Sequence, residues 1–158
     1  MTFCERFDAF ICEGDRIQCE ADGFEVVARI VRDDCPDAPD ERQDGFWPSE
    51  YIGDPGFIGP GKNWRQRLAA AQAKAEAVMS AWRNDEWFYC GIVLSVALDG
   101  VMLDESAASL WGVEANYPDT DNSYLAEVAN ELLPDAVETG REAAMRLCER
   151  LQSITGRD

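Results

Sequence analysis

Acidic pairs and cysteines are the residues best equipped for chemistry in this 158-residue chain. Asp104-Glu105 and Asp119-x-Asp121-Asn122 could hold Mg²⁺ or Ca²⁺ through oxygen, and closely placed carboxyls can serve as general acid and base. Cys4, Cys12, Cys19, Cys35, Cys90 and Cys148 could supply thiolates. Yet the chain has no histidine, so the usual proton acceptor for a serine or cysteine nucleophile is missing, and so is the commonest zinc ligand. No C-x₂-C or C-x₄-C pair exists, which favours reduced, buried thiols over a metal site or a disulfide framework. The glycines of 53–61 alternate with prolines that remove amide donors, and their anionic surroundings oppose phosphate. With 31 acidic residues, neighbouring carboxylates arise by chance, and the Asp119 segment lacks the later Glu of a calcium loop. No catalytic residue, metal or cofactor is expected.

Charge is the stronger signal. The formal net charge is −17, and it is segregated along the chain. Residues 1–60 carry 15 acidic and 5 basic groups, 61–83 carry 1 and 5, 84–140 carry 12 and none, and 141–158 carry 3 and 4. Like charges repel, so ordinary surfaces mix both signs. Local duties account for some carboxylates: Asp99 in a turn, Asp121 near a helix start, Asp135 in a first turn. They do not account for the loss of every cation over 57 residues. Such a surface imitates a polyanion. Seventeen charges match roughly 29 Å of duplex DNA, and a domain of this length is roughly 40 Å across.

A surface of that density seeks the Lys/Arg groove of a nucleic-acid-binding protein and avoids nucleic acid itself. Asp85, Glu86, Asp99, Asp104, Glu105, Glu114, Asp119 and Asp121 are the expected contact residues. The aromatics Trp47, Trp64, Trp82, Trp87, Phe88, Tyr89 and Trp111 lack the cationic flanks of a base-stacking platform, so they belong to a core or a protein interface.

The elements that must position these groups follow from apolar spacing. At 46% hydrophobic residues, residues 1–158 are expected to form one domain with its own core. Runs 3–12, 16–21 and 24–31, punctuated by Glu13-Gly14-Asp15 and Asp22-Gly23, read as a β-meander, with Val26, Ala28 and Ile30 on one face. Residues 33–61 read as a long loop, anchored by Phe46, Trp47, Tyr51, Phe57 and Ile58. Residues 63–83 read as a helix capped by Asn63, whose early cations Arg65 and Arg67 oppose the helix dipole unless carboxylates face them. Residues 87–98 form a strand apolar on both faces. It is either covered twice or offers one face to a second copy, which would make the chain a homo-oligomeric adaptor. Asp99-Gly100 then turns into 101–103, and 110–117 forms a further strand. A helix over 123–155 is expected to kink or break at Pro134. The resulting fold class is α+β: an antiparallel sheet of about five strands with two helices packed on one face.

No apolar run is long enough to span a membrane, and the N-terminus lacks a basic-then-apolar signal segment, which favours the cytoplasm. The blocks Asn84-Asp-Glu-Trp-Phe-Tyr-Cys-Gly-Ile-Val-Leu-Ser-Val, Ala-Ser-Leu-Trp-Gly-Val-Glu-Ala-Asn-Tyr-Pro and Asp-Asn-Ser-Tyr-Leu-Ala-Glu-Val-Ala-Asn-Glu-Leu resemble a family of small acidic proteins of phages, prophages and plasmids. Asp40-Glu-Arg-Gln-Asp-Gly-Phe-Trp-Pro resembles another of its segments. The resemblance implies a setting, the bacterial host cell, and no catalytic residues. By charge and size the chain is similar to anti-CRISPR and antirestriction inhibitors that imitate DNA. Its expected partner is a CRISPR effector or restriction enzyme.

Overall fold

The computed structural model describes residues 2–34, 37–42, 47–54 and 56–156. Strands β1 (Arg16–Ala21), β2 (Phe24–Arg32), β3 (Phe88–Leu98) and β4 (Val101–Ala115) form one antiparallel sheet in sequential order. Helix α1 (Trp64–Arg83) lies between β2 and β3, and helix α2 (Ser123–Thr155) follows β4. This is the expected α+β architecture, with four strands in place of about five.

Both Asp-Gly pairs form hairpin turns, with φ of 52° and 86° at Asp22-Gly23 and 49° and 76° at Asp99-Gly100. Positive φ at both central residues matches the twist of the flanking strands. β2 and β3 pair from Glu25↔Ala97 to Arg32↔Cys90. The chain between them therefore leaves and re-enters the sheet at one end, where the Asp33 amide donates to the Tyr89 carbonyl at 3.0 Å.

Two expectations about strands are corrected. Residues 3–12 join no ladder, because asparagine side chains take the backbone groups that a neighbouring strand would have used. The Phe3 amide donates to Asn130 Oδ1 at 2.7 Å and the Ile11 amide to Asn116 Oδ1 at 2.8 Å. In return, Asn116 and Asn122 amides donate to the carbonyls of Ile11 and Ala9, both at 2.9 Å. The proposed strands 101–103 and 110–117 are a single long β4. Register shifts opposite Cys90/Ile92 and Leu94/Val96 absorb the extra residues, helped by Gly112 at φ 76°.

Val26, Ala28 and Ile30 of β2 and Phe88, Cys90, Ile92, Leu94 and Val96 of β3 are buried on one face, under Leu125, Ala129, Leu133, Ala136 and Val137 of α2. Gly140 lets α2 approach closely, since a Cβ there would stand 2.7 Å from Val96 Cγ1. The helix runs through Pro134 without a break, which leaves the kink of the two expected alternatives, and Asp135 sits mid-helix rather than in a first turn.

The expectation of two helices on one face holds for α2 alone. Tyr89, pointing away from Phe88 and Cys90, clusters with Trp87 and with Val78 of α1. The Trp87 indole donates to the Val78 carbonyl at 2.9 Å, and its ring meets Tyr89 and Tyr117 edge-on at 5.2 and 5.0 Å. Arg67 donates to the carbonyls of Ile58 and Gly59, and Arg65 lies over the Trp64 ring at 5.7 Å. Neither arginine is thereby directed at the carboxylates the sequence suggested.

Candidate functional site

The eight expected contact residues occupy three places. Asp85, Glu86 and Asp119 line an open cleft of about 620 Å³ at the end of the sheet where β3 begins, together with Phe10, Tyr117 and Thr120. Asp121 lies two residues further on, at the start of α2. Local chemistry explains this gathering: Asp85, Asn116, Asp119 and Asn122 all hold φ between 59° and 65°. Short polar side chains tolerate that left-handed conformation better than other L-residues. Arg32 pairs with Asp85 and stacks on Phe88, 4.9 Å from the ring centre. The Asp121 carboxylate accepts from the Ser123 amide at 3.0 Å; that bond, aided by Arg6, holds its acid below the usual range.

A second group lies on β4. Asp104 accepts from the Ser106 amide at 2.8 Å, and Glu105 is exposed. Glu114 is half-buried and pairs in register with Tyr89. β4 is an edge strand, and charge on an edge blocks pairing with other chains. Helix α2 covers the same edge, with Tyr124 donating to the Glu114 carbonyl and Thr139 to that of Ala107 at 3.1 Å. Asp104 and Glu105 therefore have a structural duty in addition to any binding role.

Asp99 lies at the β3–β4 tip, near Asp104 and beside Glu25, whose Oε1 accepts from the Gly100 amide at 3.1 Å. The eleven residues of β3 separate it from the cleft by about 33 Å. The eight carboxylates do not form one patch.

A fourth acidic surface escaped sequence reasoning. Glu127, Glu131, Asp135 and Glu138 are exposed along α2. Their offsets of 4, 8 and 11 residues fall within an arc of about 80° on a helix. The signal was present in their spacing, but a break at Pro134 would have divided the stripe. Among the described residues, Asp85 and Glu138 are the two of the twelve carboxylates in 84–140 that have a cation at ion-pair distance.

The cysteines differ in environment. Cys90 is fully buried, and desolvation, with Glu114 and Asp33 nearby, pushes its thiol up to about 12. Burial also raises Cys19, while Cys4, Cys12 and Cys148 are exposed. Cys35 and Phe46, and the 43–46 part of the Asp40 segment, lie outside the described residues. Among the described residues no three Cys, Asp or Glu side chains converge as a metal site would require, and no helix is long and apolar enough to cross a membrane.

The second face of β3 is not open to another copy. Tyr89, Gly91, Val93 and Ser95 are all buried there. The Trp111 ring lies against Gly91, leaving no room for a Cβ, and Arg42 covers Tyr89 at 4.3 Å. An adaptor using that sheet face is thus disfavoured by the monomer's own packing. In comparisons with known proteins, no family model, curated protein or solved structure matches the chain.

Proposed function

We propose that this chain is a non-enzymatic inhibitor, carried by a phage or another mobile element, of a bacterial defence complex of the CRISPR or restriction type. In this reading it acts in the host cytoplasm by offering carboxylates to a cationic groove built for nucleic acid. The supporting observation is the cation-free stretch 84–140, which folds into the cleft, the β4 edge and the α2 stripe. On α2 four carboxylates are spaced about 5.5 Å apart along the axis, against about 3.4 Å per phosphate of one DNA strand. The stripe and the cleft would grip two sections of one groove, with Asp99 about 33 Å from the cleft.

The test is displacement of DNA from a purified effector, titrated at two salt concentrations. Affinity is expected to fall at least tenfold between about 50 and 200 mM salt, because the contact is electrostatic. Replacing Glu127, Glu131, Asp135 and Glu138 with their amides should slow association about tenfold or more while leaving the fold intact. Salt-independent binding, or no loss on neutralisation, would reject polyanion mimicry.

A further inference from the structure

Two exposed apolar surfaces meet at the end of the sheet opposite the cleft. Beyond Ala144, helix α2 buries no further residue, and residues 145–155 are exposed throughout, about 16 Å of helix. The apolar row buried at Leu133, Val137 and Gly140 continues through Ala144 to Leu147, Leu151 and Ile154 in alternating steps of three and four. Those last three are 43%, 52% and 65% exposed. A row repeating every 3.5 residues is the pattern of a helix that packs along its whole length. Beside it, Leu98, Val101 and Met102 are exposed at the β3–β4 tip. Met102 and Leu103 share a groove of about 350 Å³ with Leu147, Arg146 and Arg150.

Charge is divided between the two surfaces. The tip segment contributes Asp99 and Asp104 and no cation of its own, while α2, on the other wall of the groove, flanks its apolar row with Arg146 and Arg150. Arg146 reaches Glu142 at 3.7 Å on the surface. Among the described residues Arg150 has no carboxylate at ion-pair distance.

We propose that these surfaces form an isologous dimer interface: the α2 overhang of one copy lies against the β3–β4 tip of a second copy, and the reverse. Two-fold symmetry makes each apolar surface the cover of the other and brings Arg150 of one copy to the acidic tip of the next. A second copy is the favoured occupant because both halves of the contact, matched in polarity and opposite in charge, already exist on this chain. The cleft is reached by the α2 N-cap Asn122 and not by the 145–155 overhang, so dimerisation leaves the cleft open at the far end of each copy.

Sedimentation equilibrium from about 1 to 300 µM tests this, a range that brackets micromolar dissociation. The average mass should climb from 17.6 kDa toward twice that value, and it should still do so at salt that abolishes binding to a cationic groove. Leu151→Glu should weaken the dimer about 30-fold, as loss of a central contact does, and Arg150→Glu should weaken it less. Met145→Glu is exposed but lies off the row, so it should leave the dimer unchanged. Circular dichroism of each variant should match the parent. A constant monomer mass over the whole range overturns the proposal, as does an equal effect of Leu151→Glu and Met145→Glu. Loss of defence-complex binding in a protein that still dimerises would reject mimicry alone.

Discussion

Helices α1 and α2 both repeat apolar residues at helical spacing, yet the fold uses them differently. α2 buries seven residues, from Leu125 to Gly140, and roofs the sheet. α1 buries three, Ala75, Val78 and Met79, and is held through its last two turns by Trp87 and Tyr89. Its first turn depends on the Asn63 cap and on Arg67 reaching back to the 58–59 carbonyls. Periodicity identifies the side of a helix that can be buried; the amount actually buried depends on what the topology places opposite. α1 belongs to an excursion at one end of the sheet, and α2 crosses it.

Core truncation should expose this difference most strongly. Leu94→Ala, under α2, should cost about 2–5 kcal/mol in urea unfolding. Val78→Ala, under α1, should shift global unfolding much less and should speed hydrogen exchange of α1 amides selectively. Equal global losses would mean the two helices fold as one unit. Gly140→Ala comes next. Its Cβ would press on Val96, for a cost of about 1–3 kcal/mol offset in part by up to about 1 kcal/mol from better helix propensity. A net gain would show that α2 can lift from β3 freely.

Cys90 has no such effect at neutral pH. Its folded value of about 12 lies above the ordinary 9.0 because the buried thiol resists ionising. The unfolded chain loses its proton first, so stability is complete below pH 9 and erodes between pH 9 and 12. Tyr124, also raised by burial, acts in the same direction. Cys90→Ala should flatten the alkaline fall in the urea midpoint, after an offset for the lost side chain. An unchanged slope would assign the fall to other groups.

Much of the fold was legible in the residues themselves. The two Asp-Gly turns, the Asn63 cap, the inward face of β2 and the span of α2 follow from local stereochemistry, and the structure repeats them. Residues 3–12 misled because their Phe and Ile suit a strand, while the groups that claim their backbone sit over a hundred positions away, at Asn116, Asn122 and Asn130. Of the kink or break expected at Pro134 the break does not occur, because a missing amide does not end a helix that buries Leu133, Ala136 and Val137 on either side of it. Charge was legible as a total and as a stretch, but not as a surface. A strand carried Asp99 away from Asp85, while a helix aligned Glu127 with Glu138.

The return of the chain to the end of the sheet that it left bears on how the sheet assembles. Fifty-five residues separate the end of β2 from the start of β3, and closing that span costs about 2 kcal/mol more than a four-residue hairpin turn. The two Asp-Gly hairpins can each zip up locally, whereas the seam joining them waits on a long-range encounter. That seam is the expected kinetic bottleneck, and the Asp33–Tyr89 hydrogen bond marks where it is finally locked.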